Sequence, residues 1–303
     1  MQETIEYIRQ AFELKSQQCY KQAIEMLYKA LELENDNLEI LFQLGELYYL
    51  LKNFPRAVGY LEKVTARNSN HIESLNILKQ IHIFQNEYKE AYKMAERVFN
   101  IQKTPENLSE LIKIAAKLGN IDKIKEFEKS EIADGNVIYN CAKAYYDNAC
   151  LDDAKKSLNK ALEIDAEHED ALVLLGKIYF DESEFDKSKE IFNKFSKTSE
   201  NPEILNYLGL FALEDMKFID AIKYFSKASA LNKQNHKYFY NLANAYFYNG
   251  WFDEASKAYL QAICLAPDIV DYRYSLAYLY FEDKKYDKAQ KEVDYIFSID
   301  KDH

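Results

Sequence analysis

The sequence predicts an all-α protein, a solenoid of stacked helix-turn-helix hairpins. Three observations lead to this prediction. The 303 residues include only seven glycines and four prolines, about a third of the usual share, which disfavours turn-rich β architectures. One pattern returns nine times at intervals of 30 to 34 residues. Within each repeat, the apolar residues follow the period of an amphipathic helix.

The repeat is anchored by a small residue that follows an aromatic or aliphatic residue by three positions. The nine anchor pairs are Tyr20/Ala23, Phe54/Ala57, Tyr88/Ala91, Ile121/Ile124, Leu151/Ala154, Phe185/Ser188, Phe218/Ala221, Phe252/Ala255 and Tyr286/Ala289. They fill the chain from about Thr4 onward. We therefore expect no separate catalytic domain.

The first half of each repeat predicts a helix. Leu172, Leu175, Gly176 and Tyr179 recur at the i, i+3, i+4 and i+7 spacing of a single helical face. Leu-Gly or Leu-Ala pairs recur in the same register at Leu44-Gly45, Leu208-Gly209, Leu242-Ala243 and Leu276-Ala277. Small residues at these positions let two antiparallel helix backbones approach closely.

A break and a second helix complete the unit. Gly119 and Gly250 stand where the first helix should end, and glycine readily takes the left-handed conformation that terminates helices. Ala255, Tyr259 and Ala262 then follow at helical spacing. Each repeat is therefore predicted to be a helical hairpin.

The fourth repeat is irregular. It is 30 residues long, has Ile124 in place of the small residue, and predicts a shortened second helix that ends at Asp134-Gly135. We expect an irregular joint there. It would divide the chain into an N-terminal segment, 1–134, of about four repeats and a C-terminal segment, 135–303, of about five.

The repeat resembles the tetratricopeptide repeat family. That family's pattern is Leu-Gly-x-x-Tyr, then Ala-x-x-x-Phe/Leu/Tyr, then an occasional proline, and its residues here include Leu242-Ala243, Tyr246, Ala255, Tyr259 and Pro267. The resemblance covers essentially the whole chain. It implies a right-handed superhelix whose first helices line a concave groove, and a non-enzymatic scaffold or adaptor that binds a protein or peptide partner.

In this frame, polar and aromatic residues of the C-terminal first helices form the preferred peptide-binding site. They are Asn206, Tyr207, Lys237, Tyr240, Asn241, Asn244, Phe247, Asp271, Tyr274, Tyr278 and Phe281. Asparagine can donate to and accept from a peptide backbone, and tyrosine offers a large contact area at low entropic cost. The alternative is background aromatic exposure, because the chain contains 25 tyrosines.

A row of lysines forms a second candidate track. Lys113, Lys143 and Lys177 hold equivalent positions, with Tyr139, Asn140 and Tyr146 beside them. The row could hold the carboxylates of an extended peptide. Alternatively, the i, i+4 pairs Lys143/Asp147 and Lys177/Asp181 neutralise each other on the helix surface.

Apolar residues form two further candidate surfaces. Ile5, Ile8, Phe12, Phe42 and Tyr49 predict an inner wall that suits an amphipathic partner helix, unless the first helix simply packs more deeply. Near the end of the sequence, Val293, Ile296 and Phe297 are expected to lie uncovered. They predict a possible homodimer through a symmetric interface, so assembly by self-association is the alternative function.

The family that this repeat resembles includes proteins with a two-carboxylate clamp, which holds the C-terminal tails of chaperones. Tyr240 occupies the first clamp-lysine place, and Asp271 and Ser275 stand where the clamp requires cations. We therefore do not expect this mode of binding.

Composition and motifs disfavour the other function classes. The net charge of −11 argues against nucleic acid, since a helical-repeat RNA reader would need a basic groove. No run of about 18 apolar residues is present for membrane insertion. The five histidines lack metal-ligand spacing and no phosphate-binding glycine loop occurs, so we predict neither enzymatic activity nor a cofactor. Four scattered cysteines and the absence of a visible secretory signal favour the cytoplasm.

Overall fold

A computed structural model describes residues 2–195 and 199–299, and in these residues every regular element is an α-helix. Contacts divide the chain into unit 1 (Met1–His168) and unit 2 (Glu169–His303). Unit 1 contains five hairpins, formed by α1 (Gln2–Ser16) with α2 (Tyr20–Leu33), α3 (Leu38–Leu50) with α4 (Phe54–Arg67), α5 (Ile72–Phe84) with α6 (Tyr88–Ile101), α7 (Pro105–Lys117) with α8 (Ile121–Glu128), and α9 (Gly135–Asp147) with α10 (Leu151–Ile164). Unit 2 contains four, formed by α11 (Glu169–Asp181) with α12 (Phe185–Asn193), α13 (Pro202–Glu214) with α14 (Phe218–Leu231), α15 (His236–Tyr248) with α16 (Phe252–Leu265), and α17 (Val270–Glu282) with α18 (Tyr286–Ile299).

The helix starts confirm the predicted repeat. Every second helix begins at the first residue of its anchor pair, from Tyr20 in α2 to Tyr286 in α18. Several first helices begin after a side chain that caps them. For example, Asn37 accepts hydrogen bonds from the backbone N–H groups of Glu39 and Ile40, which satisfies donors that the first turn leaves without a helical partner.

Each hairpin turn contains one residue with a positive φ angle. Gly119 and Gly250 have φ angles of 66° and 80°, as expected, but seven turns place another residue there: Gln18, Lys52, Asn86, Ala149, Ser183, Met216 and Lys284. The same two hydrogen bonds close these turns. After α3, for example, Lys52 N–H donates to the carbonyl of Tyr49 and Asn53 N–H donates to that of Tyr48. These bonds satisfy the last helical carbonyls and stabilise the left-handed conformation.

Close helix packing explains the small residues of the first helices. A Cβ atom on Gly45 would lie 2.7 Å from Leu61, and Gly176 and Gly209 face Phe192 and Phe225 in the same way. Larger side chains would have to displace their neighbours.

In hairpin α5/α6, the small residue lies on the second helix and the large residue on the first, the reverse of the other pairs. Lys79 stands at the position of those glycines and is buried, with 6% of its surface exposed. The corresponding position in α6 holds the small, buried Ala95. The exchange keeps the total side-chain volume between the two helices similar, as close packing requires.

The fourth hairpin is irregular, as expected, but its predicted end is wrong. Helix α8 is only eight residues long and ends at Glu128. Asp134 instead caps α9 by accepting a hydrogen bond from Val137 N–H, and Gly135 is the first residue of that helix. Because α8 is so short, α9 packs more on α7 than on α8. The division after residue 134 stays a prediction.

Glu128 links the short helix to the next hairpin. Its carboxylate accepts hydrogen bonds from the Tyr145 hydroxyl at 3.1 Å, the Ser157 hydroxyl at 2.9 Å and the Lys160 ammonium at 2.8 Å. These are charge-assisted bonds at a largely buried side chain. They fix α8 against α9 and α10.

None of the described helices combines the length and the apolar character that a bilayer span requires.

Candidate functional site

A cavity of about 710 Å³ opens in unit 2 beside the first helices α11, α13, α15 and α17. It is lined by Lys177, Phe180, Asp181, Glu203, Asn206, Tyr207, Leu210, Asn235, Lys237, Tyr238, Tyr240, Asn241 and Tyr272. Its surface therefore mixes amides, aromatic rings and charges of both signs.

An amide pair connects two helices in this cavity. Asn241 Nδ2, from α15, donates a hydrogen bond of 2.8 Å to Asn206 Oδ1, from α13. Among the described residues, Asn206 Nδ2 and Asn241 Oδ1 have no hydrogen-bond partner. The pair therefore presents one donor and one acceptor, which are the groups that bind the C=O and N–H of a peptide backbone.

Stacked tyrosines form one wall of the cavity. The rings of Tyr240 and Tyr272 lie 4.6 Å apart at an interplanar angle of 23°. The hydroxyl of Tyr272 is 2.7 Å from His236 Nδ1, and that of Tyr240 is 3.2 Å from Ser275 Oγ. Burial raises the pKa of Tyr272 above its ordinary value. The wall is therefore flat, uncharged and held by hydrogen bonds.

A second aromatic wall lies on α11 and α13. The ring of Phe180 meets that of Tyr207 edge to face at 5.2 Å. On its other side, Tyr207 stacks on Phe192 at 4.6 Å. Tyr207 is thereby fixed between a core ring and a ring at the cavity.

Charges of both signs surround the cavity. Lys177 Nζ lies 3.7 Å from Glu203 Oε1, while Asp181 and the exposed Lys237 add one charge of each sign. The two signs balance, so the cavity has little net preference for a charged ligand.

The structure brings five of the eleven preferred residues into this cavity. Those that line it are Asn206, Tyr207, Lys237, Tyr240 and Asn241. Those outside its lining are Asn244, Phe247, Asp271, Tyr274, Tyr278 and Phe281.

The excluded residues have other neighbours. Asn244 accepts a hydrogen bond from Tyr259, and Phe247 lies 5.8 Å from Tyr278, ring to ring. Phe281 meets Tyr286 edge to face at 5.7 Å.

Sequence reasoning missed three rings of the cavity, Phe180, Tyr238 and Tyr272. Tyr272 is only 6% exposed and occupies a position that is buried in other first helices, such as Ile40 in α3 and Ile204 in α13. The signal was a tyrosine at a position that holds an aliphatic residue in α3, α9, α11 and α13.

The lysine row divides between the two units. Lys113 and Lys143 line a cavity of about 580 Å³ in unit 1, whereas Lys177 lines the cavity of unit 2. The expected i, i+4 ion pair between Lys143 and Asp147 does not form in this described helix. Lys113 instead binds Glu110 at 3.0 Å.

The two tyrosines predicted beside this row lie on α9, and neither lines that cavity. The ring of Tyr139 packs 5.0 Å from that of His168. Tyr146 is half-buried.

The apolar wall of the first hairpins is partly core. Ile8, Phe42 and Tyr49 pack against the buried cluster of unit 1, as the deeper-packing alternative predicts. Ile5 and Phe12 stay exposed.

The last hairpin carries an apolar groove of about 440 Å³. Val293, Ile296 and Phe297 from α18 line it together with Val270, Asp271 and Tyr274 from α17. Tyr274 and Phe297 are well exposed, whereas Val293 is half-buried and Ile296, which was expected to lie uncovered, is buried. Elsewhere, no group of His, Cys, Asp and Glu that could hold a metal ion occurs among the described residues.

Family comparisons agree with the hairpin architecture. Tetratricopeptide repeat models match residues 169–202 and 240–294, and the model of anaphase-promoting complex, cyclosome, subunit 3 matches residues 16–98. A TPR repeat-containing protein of Methanocaldococcus jannaschii is 26% identical over 86% of this chain and 51% of its own length. Superkiller protein 3 of Schizosaccharomyces pombe is 25% identical over 82% of this chain and 17% of its own. The chain thus spans about half of the first curated relative and a smaller part of the second.

Solved structures share the fold. YrrB, described as a TPR protein with an unusual peptide-binding site, has a TM-score of 0.52 at 21% identity, covering 60% of this chain and 95% of its own. The C-terminal part of a TPR repeat-containing protein from Cytophaga hutchinsonii has a TM-score of 0.54 at 16% identity, covering 77% and 96%. With the repeat spacing, the hairpin packing and the family models in agreement, the chain is a tetratricopeptide repeat protein.

Proposed function

We propose that this protein is a non-enzymatic scaffold that binds an extended peptide segment of a protein partner in the unit 2 cavity. The fold supports a role in protein–protein interaction. The observation that carries the proposal is the Asn206–Asn241 amide pair, with its spare donor and acceptor.

The rest of the cavity fits such a ligand. The stacked rings of Tyr240 and Tyr272 offer a flat surface for an apolar or aromatic side chain next to the amides. Because the charges around the cavity balance, specificity would come from the backbone hydrogen bonds and the aromatic contacts. We propose a reducing compartment such as the cytoplasm, since Cys264 is an exposed free thiol.

Peptide selection tests this proposal. Random twelve-residue peptides displayed on phage would be selected on the whole chain and then measured against Asn206→Ala/Asn241→Ala. We expect at least tenfold weaker binding to this variant, since each lost hydrogen bond contributes about 1 kcal/mol. Methylation of the contacted peptide nitrogen should weaken binding to the wild type to a similar extent. Asn193→Ala/Asn249→Ala, which alters two asparagines outside the cavity, is the matched control; equal affinity for all three proteins would contradict the proposal.

Self-association through the last hairpin is a second candidate, favoured by its apolar groove. The equivalent residues of α16, Tyr259, Ala262 and Ile263, are buried in unit 2, where α17 packs on α16. The groove on α18 therefore has the shape and chemistry of a helix-packing surface. Light scattering should show a dimer that Phe297→Glu dissociates. A monomer at all concentrations would exclude this candidate.

A further inference from the structure

We propose that the unit 1 cavity between α7 and α9 binds an acidic peptide segment through its aspartate or glutamate side chains. This cavity of about 580 Å³ is lined by Lys113, Lys117, Asn140, Lys143, Asp147 and Asn148, together with two alanines. It is separate from the unit 2 cavity, so the two proposals stand or fall independently.

The repeat register brings the lysines together. Lys113 and Lys143 occupy the same position in α7 and α9, and Lys117 lies one turn after Lys113. The equivalent positions of α3 and α5 hold Glu46 and Gln80. Among these four helices of unit 1, only α7 and α9 carry a lysine at this position, and they pack directly on each other.

Two of these ammonium groups lack a counter-ion. Among the described residues, neither Lys117 nor Lys143 forms an ion pair, whereas Lys113 pairs with Glu110 at 3.0 Å. Asp147 is the one acidic residue in the lining. The lining thus keeps a positive excess in a chain whose net charge is −11, and it attracts carboxylates locally.

Hydrogen bonds fix the walls before any ligand binds. Asn148 Nδ2 donates to the carbonyl of Ala116 in α7 at 3.1 Å and to that of Ala144 in α9 at 2.8 Å. Asn140 Nδ2 donates to Ser109 Oγ of α7 at 3.1 Å. The spacing of the two helices is thereby set, which reduces the ordering that binding requires.

The free acceptor of Asn140 favours a peptide over a simple anion. Both recorded bonds of its amide use Nδ2, so Oδ1 remains open to a backbone N–H. An extended segment could place carboxylates at Lys117 and Lys143 while its backbone donates to Asn140.

The test uses the whole chain and a fluorescein-labelled hexaglutamate peptide, with binding followed by fluorescence anisotropy. We expect Lys117→Gln/Lys143→Gln to weaken binding at least fivefold. The matched control, Lys21→Gln/Lys89→Gln, removes the same charge from exposed residues of α2 and α6 in unit 1 and should change the affinity less than twofold. Asn206→Ala/Asn241→Ala should also leave hexaglutamate binding unchanged, which separates this proposal from the one for unit 2.

Chemical protection provides a second readout. Bound hexaglutamate should slow acetylation of Lys117 and Lys143 by an amine-reactive ester, as measured by mass spectrometry, without slowing that of Lys21. Three results would overturn the proposal: no binding at low salt, equal losses in the cavity and control variants, or equally effective competition by inorganic phosphate.

Discussion

Gly209 and Phe225 lie so close together that a Cβ atom on the glycine would be 2.5 Å from Cε1 of the ring. Phe225 is fully buried in the core of unit 2. The ring has no open space into which it could move without displacing other core side chains. The absence of a side chain at residue 209 is therefore what lets α13 approach α14.

Gly209→Ala should destabilise unit 2 by about 1 to 3 kcal/mol, the usual penalty for overpacking a core. Urea unfolding followed by circular dichroism would measure it. Gly59→Ala is the control, because a Cβ atom there meets nothing within 4 Å. It should stabilise unit 1 by roughly 0.5 to 1 kcal/mol, since alanine is the better helix former. Similar effects of both substitutions would contradict the packing argument.

Gly250→Ala tests the left-handed turn without any change in packing. No atom lies within 4 Å of a Cβ placed there, but the φ angle is +80°. We expect a loss of about 1 kcal/mol from backbone strain. Thermal unfolding would show the loss, and the sign should be opposite to that of Gly59→Ala. A gain in stability would mean that the turn tolerates alanine as readily as the helix does.

Glu128→Ala should loosen the fourth hairpin. It removes the shared acceptor of Tyr145, Ser157 and Lys160, and the lost charge-assisted bonds predict a cost of about 2 to 3 kcal/mol. Hydrogen exchange should increase in α8 first. The control Glu126→Ala, on the same helix, loses an exposed pair with Lys123 and should change stability by less than about 0.5 kcal/mol.

The thiol of Cys141 should be inert in the folded protein. Burial raises its pKa to about 12, whereas an unfolded cysteine titrates near 8.5. Iodoacetamide at pH 8 should therefore modify the exposed Cys264 and leave Cys141 unmodified until urea is added. Mass spectrometry of the alkylated peptides would decide, and rapid native labelling of Cys141 would contradict this prediction.

The same shift predicts a dependence of stability on pH. Below about pH 8.5 the thiol is protonated in both states, so its contribution is fully present. As the pH rises toward 12, only the unfolded state loses the proton, and the free energy of unfolding falls. Cys141→Ala should make this alkaline decline shallower, as measured by urea unfolding between pH 8 and 11. A decline with unchanged slope would assign the effect to other groups.

Much of the fold could be predicted because the repeat reports on packing. The anchor residues from Tyr20 to Tyr286 mark the first residue of every second helix, since each side chain recurs at one place in the hairpin. The end of α8 could not be predicted in this way. Asp134 and Gly135 resemble a helix end, yet the aspartate caps the next helix. The same residue types serve both purposes, and only the neighbouring helix distinguishes them.

The turns show where tertiary structure overrides the preference of non-glycine residues for negative φ angles. Lys52 and Met216 adopt positive φ angles although their side chains disfavour it, because the hairpin closes with hydrogen bonds that need this geometry.

The candidate site could likewise be predicted only in part. Spacing alone predicts that Asn206 and Asn241 share one surface, and in the structure a hydrogen bond joins them. Tyr272 could not be found, because a buried position and a wall position look alike in the sequence.

The direct packing of α9 on α7 has a mechanical consequence. At the other hairpins of unit 1, tension along the stack passes alternately through first and second helices. At the fourth hairpin it passes from first helix to first helix, and α8 lies beside this path. A pulling force could therefore detach α8 while α7 and α9 stay in contact. This short helix would then unfold locally before the rest of the stack separates.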